Sequence, residues 1–335
     1  MNTNLQTLAS LPRSMQARAA RSQTGFTIIE MMIAMTVSLF IVGAVLLVVA
    51  GSSSTSKTRE RASELQTNGR YAMEQIKRDL LHAGYLGISS LFSNDVPVSV
   101  GNAGPPAIAP IAVANVCDAL NVGRLSQRIW GSEDANPYAA TCLPAADYDQ
   151  GDVMVIRGLN PTAVVAGGGG FSATLVHYRS AYEGGAPFVG PTAPDFALTS
   201  KFPPYYDYLV DETVYYISPY TTSAAESPNV PALYRLRLST GPAMVPELVA
   251  SGVENLQLRY GVFQTNDTVR FMAADEMSAG DWDLVRSVEV SLLMRATTIE
   301  GGYINNTTYV IGGDNYVVND SYPRSLLTAV VQLRN

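Results

Sequence analysis

Hydrophobic and polar residues follow three different periods along the chain. Residues 31–50, MMIAMTVSLFIVGAVLLVVA, form a run of twenty without a charge. At 1.5 Å per residue such a run matches the roughly 30 Å hydrocarbon core of a bilayer, so it predicts a membrane-spanning helix. After a polar break at Gly51-Ser52-Ser53-Ser54, Ala62, Leu65, Ala72, Met73, Ile76, Leu80 and Ala83 recur at helical spacing. Glu60, Glu64, Glu74, Lys77, Arg78 and Asp79 take the opposite, solvated face, and Gly84 predicts the stop. A nearly continuous helix over 26–83 would be about 87 Å long. Its first half is apolar all round, whereas its second half carries one apolar stripe that must find a folded partner.

Downstream the period changes to two. Segments 152–157, 173–179, 207–218, 232–239, 253–263, 284–297 and 326–334 are short, β-branched or aromatic, and bounded by turn residues. Leu256, Leu258, Tyr260 and Val262 alternate with Gln257, Arg259 and Gly261, and Val288, Val290, Leu292 and Met294 with Glu289, Ser291 and Leu293. One apolar face per strand argues for an antiparallel sheet packed on the helical stripe, an α+β fold. Between 86 and 205 the chain is rich in Gly, Pro, Ala and Ser and reads as long loops rather than a second domain.

Composition narrows the function classes. Of 335 residues 47% are hydrophobic and 15% charged, against about 25% charged in an average soluble domain, which excludes a disordered chain. The first 25 residues hold Arg13, Arg18 and Arg21 and no acid; the rest keeps 19 of the 22 basic residues and all 29 acidic ones, a net charge of −10. So acidic a body repels phosphate backbones, so direct nucleic-acid binding is not expected. Lys57, Arg59, Arg61 and Arg70 beyond the apolar run offset the three leader arginines, so the positive-inside rule leaves the orientation open.

One carboxylate stands among the apolar residues at the edge of that run, in Gly25-Phe26-Thr27-Ile28-Ile29-Glu30. An ionised acid costs about 2.5–3.5 kcal/mol at the centre of a membrane helix and less near the interface, so a buried one is retained for a partner. A basic leader, a glycine, an aromatic residue, a glutamate at this spacing and a twenty-residue apolar helix resemble the class III signal of type IV prepilins and type II secretion pseudopilins. Residues 69–87 (GRYAMEQIKRDLLHAGYLG), 247–262 (ELVASGVENLQLRYGV), 281–295 (DWDLVRSVEVSLLMR) and the ending SLLTAVVQLRN resemble, more narrowly, the PilW family of minor pilins. Residues 88–246 show no such resemblance.

The resemblance implies a pilin-like fold, with a long N-terminal helix, half transmembrane and half amphipathic, packed on an antiparallel sheet. It divides the chain into a cleaved leader (1–25), a transmembrane and assembly helix (26–50), an amphipathic helix (51–84) and a β-rich periplasmic domain (85–335). It makes Gly25 the residue after which a prepilin peptidase cuts, Phe26 the new N-methylated terminus, and Glu30 the carboxylate that meets a neighbouring subunit's terminal amine. Partners would be the prepilin peptidase, other minor pilins, the major pilin and the inner-membrane assembly machinery. The protein would sit in the inner membrane with its C-terminal domain in the periplasm, then in the pilus at the cell surface, near the tip, in support of twitching motility, adhesion or DNA uptake. A minor pseudopilin of a type II secretion system is one alternative. A periplasmic binding protein or enzyme released after Ala50 by an ordinary signal peptide is another.

Other candidates are few. In an extracytoplasmic domain Cys117 and Cys142, 25 positions apart, most simply form one disulfide, although two buried thiols are the alternative. Asp147, Asp149 and Asp152 space oxygens as at the opening of a calcium loop, but no closing glutamate follows, and the segment also reads as a polar turn entering a strand. The four glycines at 167–170 lack the Gly-Lys-Ser/Thr of a phosphate loop. His82 and His177 read as structural. No nucleophile motif gathers a base and an orienting acid, so no catalytic residue, cofactor or enzymatic role is expected.

Overall fold

The computed structural model describes residues 25–89, 117, 125, 127–181, 184–193 and 204–334. The leader, with Arg13, Arg18 and Arg21, and the Gly- and Pro-rich stretch 101–106 lie outside the described residues. Among the described residues there is one α-helix, α1 (Ile28–His82), and the chain divides into two units, 1–57 and 58–335.

In the first unit the helix buries nothing. The stretch Ile28–Val49 is long and apolar enough to cross a membrane, and none of it is covered by protein. Its few polar side chains turn inward. The Thr36 hydroxyl donates to the Met32 and Ile33 carbonyls, and that of Ser38 to Ala34, 2.7 Å away. In lipid, where no water competes, this back-bonding satisfies the hydroxyls without a partner helix.

The second unit is two sheets and the rest of α1. The larger sheet contains β1 (Ile129–Ser132), β2 (Val153–Val164), β3 (His177–Ala181), β4 (Gly184–Phe188), β5 (Tyr205–Ser218), β6 (Ala232–Ser239) and β7 (Ala243–Ser251). Its order is β1-β2-β5-β3-β4, with β6 beside the C-terminal half of β5 and β7 beyond β6. The smaller sheet runs β13 (Arg324–Gln332), β10 (Val285–Arg295), β8 (Val253–Phe263), β9 (Val269–Met272). A hairpin of β11 (Thr308–Ile311) and β12 (Asp314–Val317) completes the set. All the pairings are antiparallel.

Both alternating strands read from sequence meet in register. Val288 lies opposite Tyr260, Val290 opposite Leu258 and Leu292 opposite Leu256, so their apolar faces coincide. That face, with Val331 of β13, packs against Leu65, Ala72, Ile76, Leu80 and Ala83 of α1. Ala62, read as part of the stripe, is exposed, and Gly69 takes a buried place in it. A Cβ at 69 would collide with the end of the Leu327 side chain and come within 3.1 Å of Met294 Cγ, so a larger residue fits there only if these two side chains shift.

The larger sheet was under-read. Residues 129–132 and 184–188 are strands within the expected loop region, and β2 continues to Val164. Alternate residues of β2 and β5 serve two cores: Met154, Ile156, Tyr215 and Ile217 face the core that holds α1, while Val153, Val155, Val214 and Tyr216 face a second one with Tyr138, Leu143 and Met244. A sheet buried on both faces loses the period-two signal. The helix stops where expected: Gly84, at φ +74°, turns the chain, and its N–H donates to the Arg157 carbonyl at 2.8 Å. Gly158 completes the junction, since a Cβ there would fall 2.6 Å from the His82 carbonyl oxygen.

Candidate functional site

The segment that the prepilin resemblance singles out lies at the start of α1. Gly25, Phe26 and Thr27 precede the helix, so the Gly25–Phe26 peptide is outside it, and open space surrounds Gly25. Phe26 is 89% exposed. Thr27 takes the N-cap place: its hydroxyl oxygen accepts the Glu30 N–H at 3.2 Å, and Glu30 Oε2 accepts the Thr27 N–H and hydroxyl, both at 3.4 Å. Thr-Ile-Ile-Glu is a capping box, in which N-cap and N3 side chains satisfy each other's orphan backbone donors.

Both contacts of the Glu30 carboxylate are long, and both use Oε2, which leaves Oε1 open. An exposed carboxylate at a helix N-terminus among Phe26, Ile28, Ile29, Met31 and Met32 is an acceptor surrounded by apolar surface. Chemically it can take a cation, and the site offers no second acid and no base.

The other candidates sit apart from it and from one another. Cys117 and Cys142 are joined, with Sγ–Sγ 2.03 Å, and both are buried in the second core. The three aspartates do not converge. Asp147 accepts the Tyr220 hydroxyl, the Asp149 N–H donates to the Ile217 carbonyl, and Asp152 is buried, accepting the Asp134 and Leu258 N–H groups at 3.1 and 2.7 Å. Burial, with Glu133 and Asp134 nearby, pushes the Asp152 carboxyl up to about 8 despite those two donors. No group of three or more metal-capable side chains occurs among the described residues. His82 Nδ1 bonds the Arg78 carbonyl one turn back, and His177 is buried, stacked on Phe188, its pKa lowered by burial.

Two polar networks went unread in the sequence. On α1, Asp79 accepts the Tyr215 hydroxyl at 2.6 Å and Arg235 at 3.3 Å, and Arg235 also holds Glu247 at 2.9 Å. In the smaller sheet Arg324 holds Glu254 and Asp320, each through two nitrogens, and its side chain is almost wholly buried. The partners that tie each network across the fold, Asp79 to Tyr215 and Arg235 and Glu254 to Arg324, stand 70 to 156 positions apart and leave no local signal.

Comparison with known families separates the two ends of the chain. Residues 20–46, which contain Gly25, Phe26 and Glu30, match the prokaryotic N-terminal methylation motif. Residues 214–335 match PilW, the type IV pilus-assembly protein W family. The PilW match opens inside β5 and takes in the whole smaller sheet, the hairpin, the Arg324 network and, apart from Asp79 on α1, the Arg235 network. Stretches 247–262 and 281–295 and the C-terminal ending lie within the PilW match, whereas 69–87 lies outside both. The match also reaches upstream to Val214, into a part where no resemblance was recognised. No curated protein and no solved structure matches the chain. The PilW region and the methylation motif together support a type IV pilus-related, pilin-like protein. Neither family is one of enzymes, and the methylation motif with the apolar helix behind it suggests a membrane anchor.

Proposed function

We propose that the protein is a minor pilin: a subunit processed after Gly25, methylated on Phe26, held in the inner membrane by α1, and joined with other minor pilins to start a type IV pilus. The observation that carries this reading is the conjunction, in one chain, of a methylation motif ending in an uncovered apolar helix and a PilW region. Assembly then proceeds through physics already described. The apolar surface of Ile28–Val49 is covered by lipid before assembly and by neighbouring helices after it. The Glu30 carboxylate, which its own Thr27 satisfies only weakly, takes the terminal amine of an adjacent subunit and so fixes the register between helices. A position near the tip, with effects on twitching, adhesion or DNA uptake, follows from a starting role.

Mass spectrometry of the mature protein tests the first step: a chain beginning with N-methyl-Phe26 is expected, and one beginning at Gly51 would overturn the reading. Replacing Glu30 by Ala tests the second. The 58–335 unit should fold as before while recovery of the protein in sheared pili falls, and unchanged recovery would remove Glu30 from assembly.

A further inference from the structure

The smaller sheet ends in an edge that differs from the others. β1 and β9 have four residues each, and β4 has five with Pro187 among them. β7 is longer but carries Pro246 and Glu247. These are the devices by which folded proteins blunt an edge against association: shortness, proline and charge. β13 carries a charge only at its first residue, Arg324, whose side chain is turned in against Glu254 and Asp320. It is nine residues long, pairs with β10 without a bulge, and from 325 to 331 reads Ser-Leu-Leu-Thr-Ala-Val-Val, without charge or proline.

The direction of its hydrogen bonds follows from register. Leu333 N–H donates to the Arg286 carbonyl, and Ala296 N–H to that of Pro323, so odd-numbered residues of this strand face β10. The N–H and C=O groups of Leu326, Thr328, Val330 and Gln332 therefore point away from the sheet. Among the described residues no strand lies there and no backbone bond reaches them. The same four residues show exposed side chains, with Leu326 at 37% and Val330 at 55%. An uncharged row of paired donors and acceptors, flanked by Leu326 and Val330, is a template for one more strand.

We propose that the outer edge of β13 takes up an uncharged, extended strand from a neighbouring pilin-like subunit. The strand's backbone would pair with the even-numbered residues, and its own apolar side chains would cover Leu326 and Val330. The choice of occupant rests on the pilus reading above. Subunits of a head-to-tail polymer meet through unlike surfaces, so β13 does not face the β13 of a second copy but a different strand on its neighbour. The absence of charge on the template selects an uncharged partner, since an acidic or basic strand would lose its hydration with nothing to pair it.

The test uses the full-length protein in cells that build the pilus, with a photo-crosslinking amino acid in place of Val330 and the adduct sequenced. The expected adduct is a strand segment of another protein that carries a prepilin methylation motif. In the purified complex the amides of Leu326, Thr328, Val330 and Gln332 should exchange at least about tenfold more slowly than in the protein alone, with little change at 327, 329 and 331, already bonded to β10. Thr328→Pro deletes an N–H that β10 does not use and is tolerated on an edge. It should reduce the adduct about two- to tenfold, the loss of one hydrogen bond. Val330→Lys, which folds whether or not proline at 328 does, should act at least as strongly in pull-down of the same partner. No adduct and no change in exchange overturn the proposal, as does an adduct with a second copy through β13 or with a protein lacking the motif. These failures are distinguishable from failure of the pilus reading, which shows instead as an unmethylated N-terminus.

Discussion

Glu30 and Asp79 are carboxylates on the same helix, and the protein treats them in opposite ways. Asp79 stands in the 58–335 unit and is held by Tyr215 and Arg235 from two strands of the larger sheet. Glu30 has only the weak attentions of Thr27, one turn away, amid exposed apolar side chains. The residues around each repeat the contrast. Leu65, Ile76 and Leu80 are buried against the sheets, and Leu39, Phe40 and Leu47 are bare. Folding thus accounts for the second half of α1 and leaves the first half, with its acid, unexplained. A stretch that costs free energy in water and contributes none to the fold is kept for something outside the chain.

That division can be broken by measurement. Ile76→Ala should lower the unfolding free energy by about 2–5 kcal/mol, the usual cost of a cavity in a close-packed core. Leu39→Ala should leave the denaturation midpoint of the 58–335 unit where it was. A comparable loss for both would show that the first half is packed after all. Replacing Cys117 and Cys142 together by serine should cost about 3–4 kcal/mol through the entropy of the opened loop, read as a lower midpoint in guanidinium. Asp79→Ala should cost about 1–3 kcal/mol, because the Tyr215 hydroxyl loses its acceptor and Arg235 keeps only Glu247. Glu30→Ala, measured alongside it, should cost nothing in that assay.

Another effect concerns pH. Burial raises the Asp152 carboxyl above its unfolded value, so the native state binds this proton more tightly than the unfolded chain. Its contribution to stability is intact in acid below about pH 4, declines as pH rises towards 8, and is level beyond. Asp320 has the opposite sign: the hydrogen bond from Arg324 lowers its pKa, and what it contributes is lost as pH falls below the ordinary carboxylate range. Asp152→Asn should therefore flatten the decline in unfolding free energy between pH 4 and 8. A wild-type curve that does not fall across that window would refute the assignment.

How much of this was legible in the sequence depends on the range over which each signal acts. The α1 stripe and the β8 and β10 alternations are local patterns, and they placed the main core, whose cross-strand register only the structure supplies. The methylation motif was legible for the same reason, since Gly25, Phe26 and Glu30 lie within six residues. The capping box is also legible, as Thr27-x-x-Glu30, although the sequence reading takes the glutamate only as a membrane acid and an assembly carboxylate. The second core escaped because strands buried on both faces show no alternation, and short β1 and β4 sit in Gly- and Pro-rich surroundings. The Arg324 network escaped because Glu254 stands 70 positions away and nothing in either neighbourhood names the other. Local chemistry was readable, and chemistry made by the fold was not.

Gly69 ties several of these parts together through dimension. Its missing side chain leaves room for Leu327 of β13 and Met294 of β10 against α1. The backbone row that faces outward on β13 belongs to the same strand whose inner face rests on that spot. Any shift of the 58–82 part of the helix against this sheet therefore meets first the strand that also carries the outward backbone row.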